Sequence, residues 1–306
     1  MAIAPAAQSA RLPVSTDERS RVQPPRVSWQ HARGRLDLQQ PVVMGVLNVT
    51  PDSFSDGGRF LDPQRAYDHA QRMFAEGAGI IDVGAESTRP GAAAVTEEEE
   101  LRRLLPVIRQ LTRDARLVIS VDTSRAPVMR AVLDAGAAII NDVRALQGPQ
   151  ALPVVAAGAA GVCLMHMQGD PAGMQREPHY RNVVDEVHDF IAQRVRACED
   201  CGIQRDRIAV DPGFGFGKTA AHNLQLLARL DAYAADGLPV LAGLSRKSML
   251  QGLTGRAVEH RLAGSVALAA LAVFNGANVV RAHDVAATVD AVRVAAALRH
   301  AAASKE

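Results

Sequence analysis

From residue 42 onward the chain repeats one pattern: a short apolar run rich in β-branched residues, a polar loop, then a segment whose apolar positions recur at helical spacing. The runs are VVMGVLNV (42–49), GIIDVGA (79–85), LVISVDT (117–123), AIINDV (138–143), GVCLMH (161–166), IAVDPG (208–213), PVLAGLS (239–245) and VVRAHDV (279–285). Runs that are apolar throughout, rather than alternating, predict parallel strands covered on both faces. Eight of them in register with intervening helices predict an α/β chain folded as a (β/α)8 TIM barrel rather than an open doubly wound sheet. No run is followed by a GxGxxG turn, which argues further against a dinucleotide fold.

Amphipathic segments between the runs include DPQRAYDHAQRMFAEG (62–77), TEEEELRRLLPVIRQLT (96–112) and NVVDEVHDFIAQRVRACEDCG (182–202). Thr96 and Glu99 stand in capping-box spacing and predict where the second begins. RVSWQHARGRLDL (26–38) reads as a short hairpin across the bottom of the barrel. Residues 1–25 are rich in Ala, Pro, Ser and Arg without apolar periodicity, so they are expected to be a disordered extension ahead of a single domain spanning 26–306.

Charge adds an exclusion. Lys and Arg (34) nearly balance Asp and Glu (33) for a net +1. No basic stripe interleaves with aromatics, so neither nucleic acid nor an anionic membrane is an expected partner. No apolar stretch is long enough to span a bilayer and no signal peptide core is visible, so a cytoplasmic protein is expected. Three cysteines make no disulfide framework. The Cys198/Cys201 pair is a CxxC at a helix end with no second pair, and reads as structural rather than as a zinc site.

Where the polar residues fall changes the picture more. In a (β/α)8 barrel the reactive face is built from the carboxyl ends of the strands. Here those ends carry Asn48, Glu86-Ser87-Thr88-Arg89, Asp122, Asn141-Asp142, His166, Asp211, Ser245-Arg246-Lys247, and Arg281 with His283. One aspartate at a strand end is ordinarily a cap or loop partner. Repeated around a ring, such groups would be desolvated for nothing unless a ligand meets them. Asp122, Asn141 and Asp211 suit a flat heterocycle presenting several N–H donors, and Lys247, Arg281 and His283 suit a phosphate-type anion.

The loop NVTPDSFSDGGRF (48–60) leaves the first barrel strand. It carries oxygen ligands for a hard cation in Asn48, Asp52 and Asp56, and Gly57-Gly58 to let it move. One protein oxygen completed by a pyrophosphate is a plausible Mg²⁺ shell. Phe54 makes sense if the loop closes over a substrate and excludes water.

These motifs together, VMGVLNVTPDSFSDGG, IIDVGAESTRPGA, ISVDTS, IINDVRAL, CLMHMQG, DPGFGFGKT, GLSRKSML and VRAHDV, resemble the dihydropteroate synthase family, in order and over about residues 27–300. The resemblance implies a (β/α)8 homodimer with C-terminal helices at its interface. It implies a reaction joining 6-hydroxymethyl-7,8-dihydropterin pyrophosphate to 4-aminobenzoate, with Mg²⁺, to give 7,8-dihydropteroate and pyrophosphate in folate synthesis, and sensitivity to sulfonamides. Carried over by motif, Asp122, Asn141 and Asp211 would hold the pterin edge, Lys247 its oxo group and N5, and Met165 and Phe216 its ring. Arg281, His283 and Asn48 with the metal would hold the pyrophosphate. Phe54, Thr88, Arg89 and Pro90 would line the second pocket, with Thr88 also beside the first substrate, and Ser248 would receive the aminobenzoate carboxylate. Asp56, Arg89 and Lys247 would be catalytic, without a general base, the C–O bond breaking largely before the arylamine attacks. GAEST and RAH depart from common family spellings in ways that spare contacting side chains, and NDVRAL follows the branch without a Gly-Gly there.

Two rivals remain at this point. A methyltetrahydrofolate-dependent methyltransferase would share the Asp and Asn ring, but would have no use for Lys247, Arg281, His283 and STRPG. A catalytically silent pterin-binding homologue would typically have lost a ligand or a loop.

Overall fold

The computed structural model describes residues 27–49, 62–86, 95–170 and 173–303. The chain opens with an antiparallel hairpin, β1 (Ser28–His31) and β2 (Gly34–Asp37). Barrel strands and helices then alternate: β3 (Val42–Asn48), α1 (Pro63–Ala75), β4 (Ala78–Gly84), α2 (Glu97–Leu111), β5 (Ile119–Asp122), α3 (Ala126–Asp134), β6 (Ile139–Asp142), α4 (Ala151–Ala156) and β7 (Gly161–Met165). α5 (Val183–Asp200), β8 (Ile208–Asp211), α6 (Ala220–Ala228), α7 (Asp231–Ala234), β9 (Leu241–Ala242), α8 (Met249–Thr254), α9 (Leu262–Phe274), β10 (Val279–Ala282) and α10 (Val285–Ala303) follow.

The eight long-range strands pair in the order β8-β7-β6-β5-β4-β3-β10-β9, all parallel. A parallel bridge between Val210 and Val240 and the bond from Val210 N to Pro239 O (2.9 Å) join the two ends, so the sheet closes into the expected barrel. The run 239–245 yields only the two-residue β9. Pro239 cannot donate, and from Gly243 the backbone turns away to a left-handed Arg246 (φ 57°).

Strand side chains divide by parity. One set, including Val43, Leu47, Ile81, Val83, Ile119, Val121, Ile140, Val162, Leu164, Ile208, Val210, Ala242 and Val280, packs outward in the large core beneath the helices. The other set begins at the barrel bottom with Met44, Ile80, Ile139, Cys163, Ala209, Leu241 and Val279, clustered around Trp29 of the hairpin. Trp29 is fully buried and its indole N–H donates to Arg207 O at 2.9 Å. The hairpin therefore plugs the barrel from below, as its sequence suggested.

The helix starts follow the capping chemistry. Asp62 accepts from Gln64 N ahead of α1, and Asn182 from Val184 N and Asp185 N ahead of α5. Thr96 accepts from Glu99 N at 3.2 Å, but the Glu99 carboxylate turns to Arg102 and Arg103 (2.7 and 2.6 Å). Two guanidiniums three and four residues on outcompete the return bond, so only half of the capping box forms. Cys201 ends α5 and is exposed, while Cys198 is buried behind it with its thiol pushed up to about 12 by burial; both are free thiols. Among the described residues no helix is long and apolar enough to cross a membrane.

Candidate active site

Two residues above the bottom layer, the inward parity turns polar. The same alternation that places Met44, Ile80, Ile139, Ala209 and Val279 inside places Val46, Asp82, Asn141, Asp211 and Arg281 inside one step higher. One further step brings Asn48, Asp122, Ser245 and His283 to the rim. A cavity of about 660 Å³ opens there, lined among others by Asn48, Asp122, Asn141, Met165, Asp211, Phe216, Lys247, Ser248, Arg281 and His283. Every described residue of the expected site thus lines one cavity. Phe54, Asp56, Thr88, Arg89 and Pro90, with the loop segments that carry them, lie outside the described residues, as does the 1–25 extension.

Charges at the bottom of the cavity are interlocked. Arg281 donates through Nε to Asp82 (2.7 Å) and through a terminal nitrogen to Asp122 (3.2 Å). Burial pushes the Asp122 carboxyl up to about 7, against the pull of Arg281. Asp211 is likewise raised by burial, to about 6, with the Gly213 N–H (2.7 Å) and then Lys247 opposing the shift. Burial and Arg281 depress the Lys247 ammonium to about 8; its Nζ sits 4.2 Å from the Phe216 ring centroid, a cation–π contact. Two carboxyls and one amine therefore titrate close to neutrality, where a ligand can decide their state.

His283 donates to or accepts from Ser245 Oγ at 3.0 Å through Nδ1. Burial, then Arg281 and Arg246, hold its pKa down to about 4, so the ring is neutral near pH 7. Arg246, also at the cavity, is exposed and pairs with Asp284 (2.5 Å). Arg261 donates to Arg246 O (3.0 Å) and Lys247 O (3.4 Å), fastening the turn that presents Lys247. Ser248 is exposed on the cavity rim, ahead of the six-residue α8, and caps no N–H with its side chain.

Two strand-end groups serve the scaffold instead. Asp142 has outward parity and accepts from Ser124 Oγ (2.5 Å), Arg144 N (2.8 Å) and Leu146 N (2.8 Å). His166 packs edge-on against Phe190, with ring centroids 4.9 Å apart, and holds Lys218 Nζ at 2.9 Å from its Nδ1.

Three groups to which the sequence reading gave no role shape the site. Asp82 is fully buried and gathers Arg281, Asn141 and Ser120; its signal was a charge in the middle of GIIDVGA. Lys218 lies buried under the DPGFGFGKT loop and donates to Gly213 O (2.9 Å) and Phe216 O (3.0 Å). Arg125 pairs with the buried Glu100 and reaches Glu86 (3.2 Å) and Val95 O (2.7 Å).

The family described as Pterin binding enzyme matches residues 44–283. The chain is 50% identical over 259 residues to the dihydropteroate synthase of Escherichia coli, spanning 85% of this chain and 92% of that one. Its fold superposes on the Yersinia pestis dihydropteroate synthase solved in complex with a sulfonamide drug (TM-score 0.85, 47% identity, 90% of this chain and 100% of that one). It is similarly close to a Burkholderia cenocepacia dihydropteroate synthase complexed with 7,8-dihydropteroate (TM-score 0.82, 46% identity, 90% and 98% covered). With a closed barrel, a polar ring at its carboxyl end and this degree of identity, the chain belongs to the pterin-binding enzyme family, among the dihydropteroate synthases.

Proposed function

We propose that this protein is a transferase that condenses 6-hydroxymethyl-7,8-dihydropterin pyrophosphate with 4-aminobenzoate, giving 7,8-dihydropteroate and pyrophosphate in folate synthesis, and that sulfonamides compete for its aminobenzoate pocket. The observation that carries this reading is one cavity in which the half-buried Asp122 and the buried Asn141 and Asp211 stand as acceptors beside a cationic wall of Lys247 and Arg281. A methyltransferase acting on a folate has no pyrophosphate for that wall to hold.

Asp122, Asn141 and Asp211 take the donor edge of the pterin, and Met165 and Phe216 pack against its ring. Lys247 donates toward the oxo group and N5. Arg281 and His283 receive the pyrophosphate; negative charge arriving beside the neutral His283 ring favours its protonated form, which then donates to the leaving group. Since the arylamine is a weak nucleophile, rate comes from holding the leaving anion and excluding water rather than from a base.

Asn48 offers a hard oxygen at the cavity rim, and among the described residues no group of three or more His, Cys, Asp or Glu forms a metal cage. That donor set fits Mg²⁺, which keeps waters and draws its other oxygens from a pyrophosphate. When bound, the ion supplies charge neutralisation to the departing pyrophosphate. The second substrate is taken by Ser248 at the rim together with Phe54, Thr88, Arg89 and Pro90, with Asp56 ordering the first loop. A homodimer is part of the same reading: Leu262, Leu271 and Phe274 on α9 and Val294 and Leu298 on α10 are large apolar side chains exposed on two helices packed together.

Pyrophosphate release from the purified protein with the pterin pyrophosphate and Mg²⁺, with and without 4-aminobenzoate, tests the reading. Release that requires both substrates and yields dihydropteroate is expected. Tight pterin binding without release would instead mark a silent pterin-binding protein.

A further inference from the structure

Asp82 does not line the cavity, yet it touches two residues that do. Its Oδ1 accepts from Ser120 Oγ at 2.7 Å, and its Oδ2 accepts from Arg281 Nε at 2.7 Å and from Asn141 Nδ2 at 3.1 Å. It is fully buried, as is Ser120, and Asn141 is nearly so. An ionised carboxylate only accepts, so whichever end of the Asn141 carboxamide meets Asp82 must be the NH₂ end. The carbonyl end is then the one left for the cavity that Asn141 lines.

We infer that Asp82 is a positioning residue that fixes the Asn141 carboxamide with its oxygen toward the ligand, so that the cavity presents acceptors from Asp122, Asn141 and Asp211 together and selects a heterocycle edge made of donors. The inference rests on the pterin reading above for its ligand class, and adds the reason the site reads a 2-amino edge rather than merely a flat ring. Without Asp82, the carboxamide could turn its NH₂ to the ligand at little cost and accept a 2-oxo edge as well. Ser120 supports the arrangement from below by holding the other carboxylate oxygen, and Arg281 supplies the compensating positive charge.

The test compares equilibrium binding of 6-hydroxymethylpterin and its 2-oxo analogue, in which the exocyclic amino donor is replaced by an acceptor. Wild type is expected to prefer the amino compound, Asp82→Ala to lower that preference by about tenfold or more, and Asp82→Asn to retain it. The asparagine can still offer its oxygen to Asn141 and Arg281 while its NH₂ meets Ser120 Oγ. A purely structural role would weaken both ligands equally, and an unchanged ratio in Asp82→Ala would overturn the inference. A second measurement needs no change at Asp82. The Asn141 side-chain amide, assigned by its loss in Asn141→Ser, should show a slowly exchanging proton in ligand-free wild type. Protection that develops only when pterin is added would mean the NH₂ faces the ligand, and the inference would fall. If wild type bound neither heterocycle, the pterin reading would fail, while the ligand-free amide measurement would still judge the role of Asp82.

Discussion

Lys218 Nζ lies 2.9 Å from His166 Nδ1, joining the loop after β8 to the end of β7 through a buried amino group. The same nitrogen donates to the carbonyls of Gly213 and Phe216, so the loop that carries Phe216 to the cavity is wrapped around one donor. Burial drives the Lys218 pKa down to about 7 and the His166 pKa down to about 3, which leaves the imidazole neutral and able to accept. Lys218→Met would leave two carbonyls and a ring nitrogen buried without this donor, a loss of about 2–4 kcal/mol. Urea unfolding should show that loss, and the folded variant should bind pterin more weakly because Phe216 is no longer held. Unchanged stability would mean that water replaces the amino group.

Gly213 is the tightest point of that loop. Its φ is +74°, and a Cβ there would fall 1.8 Å from His166 O. Its N–H also donates to Asp211. Gly213→Ala therefore combines left-handed strain with a backbone clash that no rotamer relieves. The expected outcome is a folded yield far below wild type, or a midpoint lower by several degrees with pterin binding lost. A variant that melts and binds like wild type would contradict the loop conformation.

At the opposite end of the barrel the prediction separates stability from function. Trp29 is fully buried against Met44, Ile80 and Leu241, well below the cavity. Trp29→Ala should cost about 3–5 kcal/mol. Turnover per folded molecule should stay within twofold of wild type, because bottom-face residues serve the scaffold. Calorimetry together with active-site titration would check both halves, and a large fall in turnover per folded molecule would mean the plug is coupled to the cavity.

Asp122, Asn141, Asp211, Arg281 and His283 were legible because each is polar at the end of an apolar run, where the barrel architecture alone directs attention. Asp82 and Ser120 were not: strands buried on both faces have no visible alternation, so nothing in GIIDVGA or LVISVDT says which parity points inward. Only the register among eight strands shows that residue 82 stands on a level with 141 and 281. Asp142 and His166 misled for the converse reason, being polar at strand ends but with outward parity. Lys218 follows a glycine-rich loop and would ordinarily be solvated; its burial depends on carbonyls of its own loop and of β7's end. Strand 239–245 came out short because Pro239 and the turn at Arg246 limit its pairing.

The pH dependence of ligand binding follows from the same buried charges. Burial raises Asp122 to about 7 and Asp211 to about 6, while burial and Arg281 lower Lys247 to about 8. For the ligand-free protein the sign is that of raised acids: their contribution to stability is full below the unfolded value of 3.8 and is lost as pH rises through about 6–7. A donor-rich ligand reverses the preference, since it bonds the ionised carboxylates and not their acids. Pterin affinity should therefore rise with pH through about 6–7, with protons released on binding, and fall again above about 8 as Lys247 loses the proton it donates. Calorimetric titration in buffers of different ionisation enthalpy measures the proton release directly. Lys247→Met should remove the high-pH decline while leaving the low-pH rise. A flat profile between pH 5.5 and 9 would mean that Asp122 and Asp211 are ionised throughout this range and Lys247 charged. The burial that places all three at the cavity would then be offset by solvent reaching them.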